Sequence, residues 1–171
     1  MISTKKRKNR TLLKFAATSV CLLPFANTAS AAIKTSNFTV QVTIAAACTI
    51  NSASTLDFGS QGVLTANVDQ TSTLDIQCTN STPYNIGLDA GTGSGATVAV
   101  RKMTSGVNTV NYTLYSDFAR ATVWGNTVGT DTFGAIGNGV SQKYTVYGRV
   151  PAQTTPAPGI YTDTVTVTVN Y

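Results

Sequence analysis

Two stretches of this 171-residue chain alternate apolar and polar side chains with a strict period of two. They span residues 35–48 and 161–171. Their apolar members are Phe38, Val40, Val42 and Ile44 in the first stretch, and Val165, Val167, Val169 and Tyr171 in the second. Because successive side chains of a β-strand point to opposite faces, this pattern predicts two half-buried strands. A strand cannot satisfy its own backbone or cover its own apolar face, so each stretch needs a neighbour.

The first 31 residues have the anatomy of a secretory signal peptide. A basic start is followed by an apolar run at 15–25 and by a small-residue exit, Ala-Ser-Ala, at 29–31. This order predicts cleavage between Ala31 and Ala32. The rival interpretation is a membrane anchor, which is weaker because the run contains Pro24 and is shorter than the roughly 20 residues that a spanning helix needs.

Removal of this segment changes the sign of the net charge. The full chain carries 12 basic and 7 acidic residues, a net charge of +5. Half of the basic residues lie in the first 31 positions, so the mature chain has six basic residues against seven aspartates, a net charge of −1. Binding to nucleic acid or to an anionic membrane needs a basic patch in the mature domain. We therefore predict neither kind of partner.

Two cysteines, Cys48 and Cys78, remain after the predicted cleavage. In an oxidising compartment such a pair predicts one intrachain disulfide. It would close a loop of about 30 residues and stabilise the fold by roughly 3 to 4 kcal/mol. Zinc ligation is the alternative, but the chain has no His and no further Cys to complete a site. We predict no metal and no cofactor.

The mature chain of about 140 residues is long enough for one domain with its own core. Thr, Val, Gly, Asn and Ser are frequent and Glu is absent. We predict no helix and, after the first stretch, strands at 49–58, 72–78, 84–88, 97–103, 110–115, 122–124, 141–150 and 160–171. Breaker segments lie at 91–95, 134–139 and 154–159. Short strands between such turns are typical of an all-β sandwich.

The composition provides few of the residue types that catalytic sites use. Without His, a Ser-His-Asp or Cys-His arrangement cannot form, and a paired-carboxylate site would require two of the scattered aspartates to converge. We predict that the protein is not an enzyme and has no small-molecule substrate. An aromatic platform for sugar is a further alternative, but aromatic residues at strand positions more often pack in the core. Its members would be Trp124, Tyr112, Tyr115, Tyr144, Tyr147 and Tyr161.

Six short segments follow one another in a specific order from residue 56 onward. They are LDFG at 56–59, IQC at 76–78, YTLYSD at 112–117, VWG at 123–125, YTVYGRVP at 144–151 and GIYTDT at 159–164. In this order they resemble the spore coat protein U domain family. Within that family the chain is similar to the major subunits of archaic chaperone-usher pili, and the resemblance covers essentially all of the mature chain.

The resemblance implies an immunoglobulin-like β-sandwich that lacks its last strand and is completed by donor-strand exchange. In such subunits a periplasmic chaperone first fills the groove beside the last strand. At an outer-membrane usher, the N-terminal extension of the next subunit then replaces the chaperone. The implied organisation is a donor-strand extension at 32–47 and a sandwich domain at 48–171. The implied donor residues are Phe38, Val40, Val42 and Ile44, and the implied acceptor edge includes Val165, Val167, Val169 and Tyr171.

The residues between the first stretch and Cys48 independently favour donation to another molecule. They are Ala45, Ala46 and Ala47, with no Gly, Pro, Asn or Asp to turn the chain back on itself. The resemblance implies a structural pilus subunit that is exported through the periplasm to the cell surface, polymerises with copies of itself or related subunits, and supports adhesion and biofilm formation. The alternatives are a self-contained secreted domain of spore-coat type and a carbohydrate-binding or adhesive tip module.

Overall fold

The computed structural model of the protein describes residues 30–171. The predicted signal peptide at 1–31 therefore lies almost entirely outside the described residues. The chain divides into two units, Met1–Gln41 and Val42–Tyr171, and the second contains the folded domain. No helix occurs between residues 30 and 171, and hence none in that range is long and apolar enough to cross a membrane.

Eight antiparallel β-strands build the domain. They are β1 (Cys48–Ala53), β2 (Val68–Cys78), β3 (Pro83–Leu88), β4 (Arg101–Ser105), β5 (Asn108–Tyr115), β6 (Phe133–Ile136), β7 (Ser141–Val150) and β8 (Val167–Asn170). A five-stranded sheet has the order β1-β2-β7-β5-β4, and a three-stranded sheet has the order β6-β3-β8. An isolated bridge between Thr104 and Thr162 connects β4 to the segment that precedes β8.

The two sheets cover a shared apolar core, which confirms the predicted all-β sandwich. The core includes Leu74, Ile76, Tyr84, Ile86, Leu88, Val110, Tyr112, Leu114, Trp124, Val146 and Val150. Strand β7 shows why the sequence folds this way, since Val146 and Val150 are buried whereas Lys143 and Thr145 are exposed. A slip of one residue would exchange these two faces, so the alternation fixes the register of β7 against β2.

The predicted disulfide between Cys48 and Cys78 is confirmed. The two cysteines are directly opposite each other in the pairing of β1 with β2, and their Cα atoms are 4.1 Å apart. Just before β1, the Ala47 N–H donates to Thr79 Oγ1 at 3.1 Å, and the Thr79 N–H donates to the Ala47 carbonyl at 2.9 Å. Covalent and hydrogen bonds thus hold the point at which the chain enters the domain.

The two alternating stretches at the ends of the mature chain form little regular strand within the single chain. Residues 35–47 form no strand, because strand pairing requires a partner backbone and, within residues 30–171, they have no ladder of such bonds beyond the contact of Ala47 with Thr79. The predicted strand at 160–171 is a strand only at Val167–Asn170, preceded by the bridge at Thr162. Its half-buried alternation nevertheless extends over residues 161–169.

Other strand boundaries also differ from the prediction. Residues 134–139 were expected to break a strand, yet β6 occupies Phe133–Ile136, where Gly134 is tolerated because β6 is an edge strand. The predicted strand at 122–124 is reduced to a bridge between Val123 and Tyr115. The predicted strand at 97–103 begins only at Arg101.

Arg101 is fully buried, a feature that the sequence patterns do not indicate. Its guanidinium donates to the carbonyls of Leu88 at 2.9 Å, Trp124 at 2.7 Å, Asp89 at 2.8 Å and Val98 at 2.8 Å. Burial lowers the pKa of Arg101, although nearby negative and phenolic groups oppose this shift. The side chain joins the connections between strands through charge-assisted hydrogen bonds, which are stronger than neutral ones.

The positions of the aromatic residues distinguish a sugar platform from core packing. Trp124 and Tyr112 are buried, and the Trp124 indole N–H donates to the Ile86 carbonyl at 2.8 Å. Tyr84 and Tyr144 meet edge to face between the sheets, with ring centroids 6.4 Å apart. The core interpretation is therefore confirmed for Trp124 and Tyr112.

Candidate subunit-binding groove

Two sheet edges face each other in this fold without pairing. Strand β1 is an edge of the five-stranded sheet and β8 is an edge of the three-stranded sheet. They lie beside each other, but no hydrogen-bonded ladder joins them among residues 30–171. An unpaired edge presents a row of backbone donors and acceptors that can accept another strand.

An apolar groove lies between these two edges. One wall is the segment 53–58, which continues from β1, and the other is the segment 160–167, which leads into β8. The floor consists of core side chains that project from both sheets. They include Leu74, Leu88, Met103, Tyr112, Leu114 and Val146. The volume of this part of the groove is about 570 Å³.

The groove continues into a second apolar cavity of about 750 Å³. The two cavities adjoin, since they share residues 56–58 and 160–161 of the walls and Met103 of the floor. The second cavity is also lined by Val63, Leu64, Val110, Val150, Pro156 and Pro158. Together the two cavities make up the groove.

The structure brings most of the predicted acceptor edge to the groove. Val165 and Val167 line it directly. Val169 is half-buried and packs against the core, whereas the Tyr171 side chain is 64% exposed. The threonines that alternate with the valines are exposed. The face predicted to be apolar is thus the face that points inward at 165–169.

The four predicted donor side chains are exposed to solvent. The exposed fractions are 87% for Phe38, 82% for Val40, 80% for Val42 and 76% for Ile44. A single exposed apolar side chain needs no explanation, but a regular series of large ones marks an interaction site. Their role as a donor strand remains a prediction.

Two carboxylates hold the wall of the groove in the region that lacks strand pairing. Asp163 accepts hydrogen bonds from the Tyr112 hydroxyl at 2.7 Å and from the Thr92 N–H at 2.8 Å. Asp89 accepts from the Thr166 N–H at 2.9 Å and from the Gly91 N–H at 2.9 Å. The connection after β3 is thereby tied to the segment that precedes β8.

These contacts shift the acidity of the groups involved. Burial, and then the hydrogen bond to Asp163, raise the pKa of the Tyr112 hydroxyl. Burial acts to raise the pKa of Asp89, but hydrogen bonds from Thr166 and Gly91 and the charge of Arg101 outweigh it, so that the pKa is lowered. Tyr112 therefore stays a donor and Asp89 a charged acceptor at neutral pH.

Sequence reasoning missed these positioning residues for different reasons. Asp163 lies within the GIYTDT segment, but nothing in the sequence indicates that its partners are Thr92 and Tyr112. Asp89 belongs to no motif. Gly91 has a φ of 78°, and a Cβ atom there would collide with the Asp163 carboxylate, so this turn requires glycine. Gly91 is the first residue of the breaker segment at 91–95, and this is the one signal of the turn that the sequence offers.

The chemical character of the groove is set by apolar side chains and unpaired strand edges. In residues 30–171, no group of three or more Cys, His, Asp or Glu side chains is placed to hold a metal ion. The groove does contain an apolar floor and lies beside unpaired strand edges. These two features are the basis of binding by strand addition.

The fold and the groove define a class of protein, an immunoglobulin-like β-sandwich with an apolar groove between two unpaired edges. Within that class, the chain belongs to the Spore Coat Protein U domain family, whose model matches residues 34–168. It is 34% identical over 171 aligned residues to Protein U of Myxococcus xanthus. That alignment covers 91% of this chain and 95% of Protein U.

A solved structure supports the same assignment. The fold is similar to a chain in the crystal structure of the CsuC-CsuE chaperone-tip adhesion subunit pre-assembly complex from archaic chaperone-usher Csu pili of Acinetobacter baumannii. The TM-score is 0.55 at 26% identity, and the match covers 75% of this chain and 40% of that one. This chain therefore spans less than half the length of that structural relative. Family and structural similarity together support a pilus-type, structural and non-enzymatic subunit.

Proposed function

We propose that the protein is a subunit of a surface pilus that polymerises by donor-strand exchange. Phe38, Val40, Val42 and Ile44 of one copy insert into the groove of another copy, where they add a strand beside β8. The observation that carries this proposal is the groove itself, an apolar channel between two facing sheet edges that do not pair. The exposed alternating segment at 38–44 has the chemistry that such a channel would accept.

Donor and acceptor segments agree in length. Phe38 and Ile44 are separated by six residue steps, about 20 Å in an extended strand. Val165 and Tyr171 are also separated by six steps, with four alternate side chains in each segment. The donor can therefore pair along the whole acceptor segment while its four apolar side chains point toward the core.

The energetics of insertion explain why strand pairing is needed in addition to apolar burial. Burying four apolar side chains contributes roughly 6 to 12 kcal/mol. Ordering seven backbone residues costs roughly 7 to 14 kcal/mol, so the two terms nearly cancel. Strand hydrogen bonds, at about 1 kcal/mol each, then provide the net stability. Removal of two exposed sheet edges further favours the assembled form.

Export and assembly partners follow from the same proposal. The predicted signal peptide would send the chain to the periplasm, and a periplasmic chaperone would cover the groove until an outer-membrane usher exchanges it for the next subunit. Similarity to a complex described as a chaperone-subunit pre-assembly complex supports the chaperone. We further propose that the resulting surface fibre supports adhesion and biofilm formation.

Deletion of the donor segment tests the proposal. A chain lacking residues 32–45 keeps the entire groove and the disulfide, so it should fold with its chaperone but form no fibres. Electron microscopy of producing cells, with the full-length chain as the control, would show the difference. Fibres of normal abundance made from the shortened chain would mean that another segment joins the subunits.

A further inference from the structure

The connections between the strands lie at two opposite ends of the sandwich. The disulfide end contains Cys48–Cys78 and the loops at 79–82 and 137–140, and the Gly139 N–H donates to the Cys78 carbonyl there at 3.1 Å. The turn end contains the connections at 54–67, 106–107 and 151–160. There the Gln153 N–H donates to the Leu64 carbonyl at 3.0 Å.

Both ends expose apolar side chains and carry almost no charge. At the turn end, Val63, Val107 and Ile160 are at least 77% exposed. At the disulfide end, Ile136 and Val140 are 64% and 59% exposed. Among the connections at 54–67, 79–82, 106–107, 137–140 and 151–160, Asp57 is the one charged residue. The charged pairs of the domain lie instead on the outer sheet face, as in the contact of Arg149 with Asp69 at 2.7 Å.

The N-terminal segment brings the disulfide end of one copy close to the copy that receives its donor strand. Ala47 is held at this end by its two hydrogen bonds with Thr79. Between Ile44 and Cys48 there are three alanines, which span at most about 10 Å when fully extended. If Ile44 lies in the groove of another copy, the two sandwiches must be in contact.

The direction of insertion decides which ends meet. Strand β8 runs from the turn end to the disulfide end, since Val167 pairs with Leu88 and Asn170 with Asn85. A donor strand parallel to β8 would leave the groove at the disulfide end of the acceptor. The acceptor's own donor segment also starts at that end, so the disulfide ends of three successive copies would compete for the same space. An antiparallel donor leaves the groove at the turn end and allows the chain of subunits to continue.

We propose that the turn end of each copy packs against the disulfide end of the next copy and forms a second, apolar contact between subunits. The contact joins Val63, Val107 and Ile160 of the acceptor to Ile136 and Val140 of the donor. This inference rests on the proposed function, because the donor strand brings the two ends together. It assigns a partner, a second copy of this chain, to the exposed apolar side chains at both ends, of which Val107, Ile136 and Val140 do not line the groove.

Single charged substitutions at the two ends test the contact. Val107→Asp and Val140→Asp alter exposed side chains that do not line the groove. Phe118→Asp is the matched control, because Phe118 is 80% exposed and packs beside Tyr147 on the outer sheet face. We expect all three variants of the full chain to form SDS-resistant multimers. The half-life of the multimers in SDS at a fixed temperature should fall about tenfold for both end variants and stay unchanged for the control.

The outcomes separate this inference from the proposed function. Multimers of both end variants that dissociate as slowly as the wild type would overturn the end contact while leaving donor-strand exchange intact. If an end variant forms no multimers, the combined variant Val107→Asp with Val140→Lys decides: restored multimers support the contact, and their continued absence refutes it. Absence of SDS-resistant multimers from the wild-type chain would reject the proposed function, and the inference with it.

Discussion

Replacing Val40 and Val42 together by Asp should abolish polymerisation without unfolding the subunit. Both side chains are at least 80% exposed in the single chain, so the substitutions remove little that stabilises the domain. In the proposed polymer the same two positions face the apolar floor of the groove formed by residues such as Leu74 and Val146. The cost therefore appears on assembly and not on folding.

The size of the effect follows from the burial of the two valines. Each contributes about 1.5 to 3 kcal/mol on full burial, so loss of both removes roughly 3 to 6 kcal/mol. This corresponds to a decrease in affinity of roughly 10² to 10⁴. Burying an unpaired carboxylate adds a further penalty. Multimers should therefore be undetectable at concentrations where the wild type is fully assembled.

The matched control changes the opposite face of the same segment. Thr39 and Thr43 alternate with the valines, and in a donor strand their side chains point away from the groove. Replacing both by Asp adds the same charge to the same stretch of chain, and multimers should persist. The assay compares multimers on unheated SDS gels, with chaperone-bound subunit as evidence of folding. Equal abundance of multimers in the two double variants would refute donor-strand polymerisation.

Three further predictions concern processing and stability. The mature protein should begin at Ala32 and contain the Cys48–Cys78 disulfide, so an intact mass that shows either Met1 or two free thiols would contradict the assignment. Replacing Asp163 by Ala removes the acceptor of the buried Tyr112 hydroxyl and should lower the free energy of unfolding, measured in urea, by about 1 to 3 kcal/mol. An unchanged midpoint of urea unfolding would show that the carboxylate does not hold the wall of the groove. Because the pKa of Asp89 is lowered in the folded state, its contribution is complete above the ordinary carboxyl range and is lost as the pH falls through the folded-state pKa. The stability of an Asp89→Asn variant should accordingly decrease less than that of the wild type below about pH 4, and parallel pH profiles would exclude this role.

The sequence predicts those parts of the fold that local patterns determine. The alternation in β7 and at residues 161–169 indicates both the strands and the faces that they bury, and the two cysteines indicate the disulfide. The apolar acceptor face is predictable for the same reason. Val165 and Val167 point inward because their neighbours in sequence are polar threonines.

Features that depend on distant partners do not appear in local patterns. Strand β6 has no alternation to reveal it and forms only because β3 offers a free edge to Phe133–Ile136. Arg101 looks like an ordinary surface residue, and its burial depends on carbonyls that loops and strands elsewhere in the chain bring together. The contact of Asp89 with Thr166 joins residues 77 positions apart. Such contacts become visible only in the folded chain.

The segment at 35–47 has a strong strand pattern but forms no strand in the single chain. The way in which it is attached to the domain explains both observations. A chain that filled its own groove would have to reverse direction between Ile44 and Cys48. Ala47 is already bound to Thr79, so the reversal would fall to alanines, which adopt the positive φ angles of tight turns only at a cost. Pairing with the groove of another copy requires no such turn. The alternating pattern and the turn-free linker therefore favour the same arrangement, in which the strand forms between molecules.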